Sequence, residues 1–282
     1  MNYRHIYHAG NFADVFKHAV LARLIAYLKQ KDKPFRVIDT HAGIGVYDLS
    51  SEEAQKTGEW RDGIGRVMEA PLPPSVAPLI EPYLETVRAL NPNGGIELYP
   101  GSPKISRLML RKEDRLSLME LHPADYEELA GNFAGDFQTR ATHLDGWLAL
   151  NAHLPPKEKR GLILVDPPFE LEGEYQRLAD GLGKGWRKFP GGVYCLWYPL
   201  KQGAPIKAFH AALESLDIPK MLCAELSVRS DRDTTGLSGS GLIIVNPPYT
   251  LKNELDKLLP WLTNVMTQDR FASSRTFWIR GE

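Results

Sequence analysis

Several things are scarce in this sequence, and each scarcity removes a class of protein. Among 282 residues there are only two cysteines, Cys195 and Cys223. Both sit in apolar runs, VYCLWYP and MLCAELSV, and read as buried free thiols. That excludes a disulfide scaffold or thiolate metal centre and fits a reducing, cytoplasmic setting. No apolar run is long enough to span a bilayer. The opening MNYRHIYHAGNFADV has no apolar core behind its charges, so it does not read as a signal peptide. Repeats and low-complexity tracts are absent. An excess of positive charge is missing too: Lys and Arg number 34, Asp and Glu 35, for a net charge of -1. A protein that coats nucleic acid is usually more basic. An enzyme that grips one nucleotide with a local basic patch is still compatible.

What is present is an ordinary globular composition, 43% hydrophobic and 24% charged. The length suits one large α/β domain carrying an insertion, or two small domains. A helix is expected over about Phe12 to Gln30, capped by Asn11, with Asp14 three residues on and an apolar stripe including Val15, Phe16 and Ala19. The short strand Phe35–Ile38 runs into the glycine-rich turn Asp39–Gly45. Between about 49 and 99 the pattern becomes helical, with a proline-rich join at Ala70–Pro74, and reads as a small helical insertion. Strands are expected again at Leu116–Glu120, Thr139–Thr142, Gly161–Val165, Gly192–Trp197, Lys220–Val228 and Gly241–Val245. Helical stretches lie between most of them. The expected fold is therefore α/β, a doubly wound, mostly parallel sheet of seven strands, closed by an antiparallel pair at one end.

The glycine turn alone is a weak signal. A dinucleotide fingerprint needs G-x-G-x-x-G, and after Gly43 and Gly45 the third position holds Asp48. The stronger signal is Asp166-Pro167-Pro168-Phe169, directly after the apolar strand GLILV. An acid at the carboxyl end of such a strand points into the crevice where α/β sheets bind ligands. The two prolines remove backbone donors and fix the path. The Asp166 carboxylate and the Pro167 carbonyl are then two acceptors for one amino group. Phe169 offers a face on which a base stacks, worth about 1–3 kcal/mol. That set suits methylation of an adenine amine, whose lone pair is delocalised into the ring. Two acceptors favour a pyramidal nitrogen, and positioning supplies up to about 7–11 kcal/mol of the barrier. A near copy, Asn246-Pro247-Pro248-Tyr249, has too little chain after it to complete a sheet and reads as a structural exit. Glu120, ending a strand, suits ribose hydroxyls, and Asp145-Gly146 suits the adenine ring of a cofactor.

These residues resemble the large-subunit ribosomal RNA adenine methyltransferase J family over essentially the whole length. The segments that carry the resemblance are YRHIYHAGNFADVFKH, DTHAGIGVYDL, YPGSP, ELHP, the Asp145-Gly146 pair, GLILVDPPFE, LWYP and NPPY. The resemblance implies a Rossmann-like class I methyltransferase fold with an inserted helical subdomain, using S-adenosylmethionine to methylate the N6 amine of an adenine in 23S rRNA. It implies cofactor contacts at Lys17, His18, His41, Gly43, Ser102, Glu120, Asp145, Gly146 and Asp166, and a substrate contact at Tyr3 beside Phe169. One departure is Phe169 itself, where tyrosine is common; either ring stacks.

Read without the resemblance, His18 and His41 pass for a helix-surface and a turn histidine. His5, His8 and His18 match no common zinc spacing, so no metal is expected. Neither a membrane nor a second copy of the chain is expected as partner. Arg4, Lys17, Lys184, Arg187, Lys188, Arg229 and Arg232 are candidate RNA contacts. The catalytic motif alone also permits a DNA adenine or a protein glutamine as acceptor. A non-catalytic RNA- or nucleotide-binding module is the alternative from another class.

Overall fold

Strand and helix alternate along the chain as the apolar spacing requires. The computed structural model describes residues 4–232 and 236–281. In chain order these form α1 (Phe12–Leu28), β1 (Arg36–Asp39), β2 (Val46–Asp48), α2 (Glu52–Thr57), α3 (Arg66–Glu69), α4 (Ala77–Leu90), β3 (Leu98–Pro100), α5 (Ser102–Met109), β4 (Arg115–Glu120), α6 (Pro123–Asn132) and β5 (Thr139–His143). There follow α7 (Gly146–Ala152), β6 (Gly161–Val165), α8 (Glu174–Lys188), β7 (Val193–Leu200), α9 (Ile206–Glu214), β8 (Met221–Ser227), β9 (Gly239–Val245), α10 (Leu251–Met266) and β10 (Ser273–Arg280). The first helix begins where Asn11 accepts hydrogen bonds from the Ala13 and Asp14 backbone amides, a side-chain N-cap.

The main sheet has the order β10-β8-β9-β7-β6-β1-β4-β5. The strands from β5 to β7 pair in parallel, and β9 and β10 run against them. Alternate residues feed two separate apolar cores. Val37, Leu162 and Leu164 pack with α1 and α10 on one face. Ile38, Ile163 and Val165 pack with α7, α8 and α9 on the other. Side chains alternate across a strand, so a strand apolar at every position must be covered on both faces. Cys195 and Cys223 lie buried and unbridged, one in each core, and burial pushes both thiols up to about 12.

The sheet has eight strands rather than seven. The added strand, β10, forms an antiparallel edge on β8. Its sequence, SSRTFWIR, mixes Phe277 and Ile279, which pack inward, with polar residues facing water. A half-exposed edge strand has no continuous apolar run, so the pattern reads as tail. Arg275 on β10 sits directly opposite Glu225 on β8 and ion-pairs with it. The buried Glu225 also accepts the Tyr198 hydroxyl at 2.7 Å. Tyr198 belongs to β7, two strands away, and its ring lies flat on Gly241 of β9. A Cβ at Gly241 would stand 2.1 Å from that ring, so only glycine lets it across.

Residues 49–99 hold α2, α3, α4 and a single π turn at Arg61–Gly65. The chain enters and leaves them through an antiparallel ribbon in which Val46 pairs with Pro100 and Asp48 with Leu98.

Candidate active site

Four acids stand at the carboxyl ends of four adjacent parallel strands. Asp145 follows β5, Glu120 ends β4, Asp39 ends β1 and Asp166 follows β6. Neighbouring strands lie about 4.8 Å apart, so the row spans about 14 Å of one sheet edge. Glu120, Asp145 and Asp166 line a cavity of about 880 Å³ that opens over this edge. Asn246 ends β9, which runs the other way, and so lies at the opposite edge. There its side-chain amide donates to the Pro190 and Gly192 carbonyls.

Asp166 is held from across the fold. Its carboxylate pairs with the ammonium of Lys17 on α1. Lys17 is only 4% exposed, and its ammonium also lies 2.9 Å from the buried Asp14 carboxylate. Asp14 in turn meets His5 at 2.9 Å and accepts the Gly10 amide at 3.0 Å. Burial alone would push the Asp14 carboxyl up; the His5 and Lys17 charges outweigh it and hold the group well below its ordinary range. Burial works against the charge on Lys17, and the two carboxylates override it and raise its pKa. Lys17 therefore has its charge matched inside the site, which corrects its reading as an RNA phosphate contact.

The glycine turn follows β1. The Gly43 amide donates to Glu120 at 2.9 Å, and the other Glu120 oxygen accepts the His122 amide at 2.7 Å. These two bonds aim the carboxylate across the cavity mouth. Asp39 is fully buried and accepts the Ser102 hydroxyl at 2.6 Å. Burial, with Asp166 nearby, raises its carboxyl to about 7. His41 hydrogen-bonds Thr40 at 2.8 Å, and burial, helped by Arg177, lowers it to about 3. Asp145 caps α7 by accepting the Trp147 amide at 2.9 Å, while Arg177 lies 3.6 Å from it and stacks over the Trp147 ring. Gly146 is tightly placed: a Cβ there would stand 2.0 Å from the Thr40 carbonyl.

His18 also lines the cavity, but its Nδ1 is 2.7 Å from the Tyr99 hydroxyl, which meets Tyr83 at 3.0 Å. Burial lowers His18 to about 3, so it is a neutral partner in that chain. Phe169 makes edge contacts with Tyr175 and Trp197, at 4.8 and 5.7 Å between ring centres. Pro167, Phe169 and Trp197 all border the cavity. Tyr3 lies outside the described residues.

Sequence reading thus brought most of this set together but missed several members. Asp14 reads from the sequence as a helix-start acid; its three-residue spacing to Lys17 is the signal of the pair they form. His5, Arg177 and Trp147 have no distinguishing pattern, and Ser102, expected as a cofactor contact, gives no sign in the sequence of its bond to Asp39. Their roles depend on contacts between residues far apart in the chain.

A family model described as "Ribosomal RNA large subunit methyltransferase D, RlmJ" matches residues 32–280. The chain belongs to this family. It is 43% identical over 279 residues to the ribosomal RNA large subunit methyltransferase J of Escherichia coli (strain K12), covering 99% of each chain. It is 41% identical over 285 residues to the protein of the same name from Haemophilus influenzae, covering 100% of each. The crystal structure of protein LPL1258 from Legionella pneumophila superposes with a TM-score of 0.87 at 37% identity, over 96% of this chain and 98% of that one. The likeness to the family spans the sheet, the glycine turn and the DPPF loop together.

Proposed function

We propose that this chain is an S-adenosylmethionine-dependent methyltransferase that methylates the N6 amine of an adenine in 23S rRNA. The observation that carries the reading is Asp166, fixed by Lys17 at the tip of β6 and bordering the cavity beside Phe169. The family's printed descriptions, ribosomal RNA large subunit methyltransferases, supply the substrate class. The reading takes residues 1–282 as one methyltransferase domain with a helical insertion at about 49–99, acting as a monomer in the cytoplasm and without a metal. No described helix is long and apolar enough to cross a membrane.

The residues present fit the cofactor. Glu120 is an acceptor suited to ribose hydroxyls, and Asp145 to an adenine amine. The Asp39–Gly45 turn lets a ligand approach the backbone, and Lys17, His18, His41, Ser102 and Gly146 complete that half of the site. A cavity of about 880 Å³ is in the range of cofactor sites. When bound, S-adenosylmethionine supplies an electrophilic methyl carbon on a sulfonium.

The chain's own residues do the rest. The target adenine leaves its stack, at a cost of a few kcal/mol, and lies against Phe169. Asp166 and the Pro167 carbonyl accept the two amine hydrogens and favour a pyramidal nitrogen with a localised lone pair. Lys17 keeps the carboxylate in one position. The aromatic side chains of Phe169 and Trp197, with Tyr175 packed behind Phe169, keep water from the reacting face. Labelled methyl transfer tests this directly: rRNA should accept label, while DNA and a release factor should not. Mass spectrometry of rRNA from cells lacking the protein should show one methyladenine missing.

A further inference from the structure

We infer that Lys201 and Arg229 form the phosphate grip for the RNA strand to one side of the flipped adenine; the inference rests on the proposed rRNA activity. Among the described residues, four lysines and arginines line the cavity: Lys17, Arg177, Lys201 and Arg229. Two have their charge matched at once. Lys17 pairs with Asp14 and Asp166, and Arg177 with Asp145 and Glu174. No described carboxylate lies within ion-pair distance of Lys201 or Arg229. The Arg229 guanidinium is anchored through one nitrogen to the Leu237 carbonyl at 3.1 Å, and its buried Nε has no hydrogen-bond partner among the described residues. The cavity mouth thus has uncompensated positive charge in one direction only.

Topology sets that direction. Lys201 follows the end of β7, and Arg229 follows β8. Both strands end at the same sheet edge as β6, which presents Asp166. In the order β6-β7-β9-β8, three steps of about 4.8 Å put these tips across about 14 Å. That is the length of a run of a few nucleotides. It lies on the side of Phe169 and Trp197, away from the acids Glu120 and Asp145 assigned to the cofactor. A polyanion therefore meets Lys201 and Arg229 on the β7–β8 side, where the Glu170 carboxylate beside Phe169 also lines the cavity, and the carboxylates Glu120 and Asp145 on the other. The basic cluster Lys184, Arg187 and Lys188 is excluded from the grip. It sits at the far end of α8, whose first residue, Glu174, borders the cavity. Fourteen residues of helix put Lys188 about 21 Å away.

The test measures methylation of transcribed 23S rRNA by the full-length protein across a range of salt concentrations. For Lys201→Ala/Arg229→Ala, KM for RNA should rise about tenfold, with kcat within threefold of wild type and cofactor binding unchanged. The dependence of log KM on log salt should flatten by about 1.4, or about 0.7 per lost contact to a single strand. The charge-retaining Lys201→Arg/Arg229→Lys protein should keep the wild-type slope, which separates lost charge from lost fold. Lys184→Ala/Arg187→Ala/Lys188→Ala should also keep it. An RNA-active wild type whose slope ignores the double substitution, or follows the α8 triple instead, overturns the grip alone. A wild type that transfers no methyl to the RNA takes the proposed function down with it.

Discussion

Lys17 and Asp166, 149 residues apart in the chain, form a part-buried ion pair that joins the first helix to the loop after β6. The pair positions the acid on which the proposed chemistry depends. Because Lys17 also faces Asp14, its removal takes the cation from Asp166 and leaves Asp14 with His5 alone. Breaking one partner out of a buried ion pair costs about 3–5 kcal/mol. Lys17→Met should lower stability by about 3 kcal/mol in denaturant melts and reduce kcat at least about 100-fold. Adding Asp14→Asn should recover part of the stability and none of the turnover. Recovery of both would assign Lys17 to folding alone.

Gly146 admits no side chain. Its Cβ would collide with the Thr40 carbonyl, which belongs to the glycine turn. Gly146→Ala should therefore push the start of α7 away from that turn and raise the dissociation constant for S-adenosylmethionine at least tenfold by calorimetry. The melting temperature should fall by only a few degrees, because α7 has few buried residues to lose.

Asp39 gives stability a pH dependence with a definite sign. Burial raises its carboxyl to about 7, so between the ordinary range near 4 and about 7 the folded protein holds a proton that the unfolded chain has lost. Folding is therefore favoured at low pH by this group, and that contribution is lost as pH rises toward 7. Relative to Asp39→Asn, wild-type stability should fall by on the order of 2–3 kcal/mol between pH 5 and pH 8. Parallel urea melts of the two proteins measure this difference; equal pH slopes would mean that Asp39 is ionised throughout.

How much of this was legible beforehand varied with the kind of signal. Strands such as Gly161–Val165, apolar at every position, were readable to the residue because a strand covered on both faces has no polar alternation. DPPF was readable because acid, prolines and aromatic ring are contiguous. β10 was not, since an edge strand carries Ser273, Arg275 and Thr276 among its apolar residues. The Tyr198–Glu225 bond was also hidden, because it depends on a glycine in the strand between them. The Asp39–Ser102 pair is hidden for a different reason: 63 residues separate its members.

The eighth strand yields its own test. Glu225 accepts from Tyr198 and pairs with Arg275, whose side chain is 61% exposed. The exposed half of that arrangement is worth little, and most of the loss on substitution comes from the buried Tyr198–Glu225 hydrogen bond, His210 and Cys223 staying within 3.1 and 3.2 Å of the hydroxyl. Glu225→Ala should cost about 2 kcal/mol in a denaturant melt, while Arg275→Ala should cost under about 1 kcal/mol. Methyl transfer per folded molecule should be unchanged in both, because the cluster lies away from the cavity residues.

The most direct test of the central claim is single-turnover methyl transfer to 23S rRNA by Asp166→Asn, with S-adenosylmethionine binding measured on the same protein. The substitution keeps the shape of the side chain and removes its charge and one of its acceptors. The account predicts cofactor binding within a few-fold of wild type and a transfer rate lower by about 100- to 1,000-fold. A variant that binds cofactor normally and transfers methyl at the wild-type rate would contradict it.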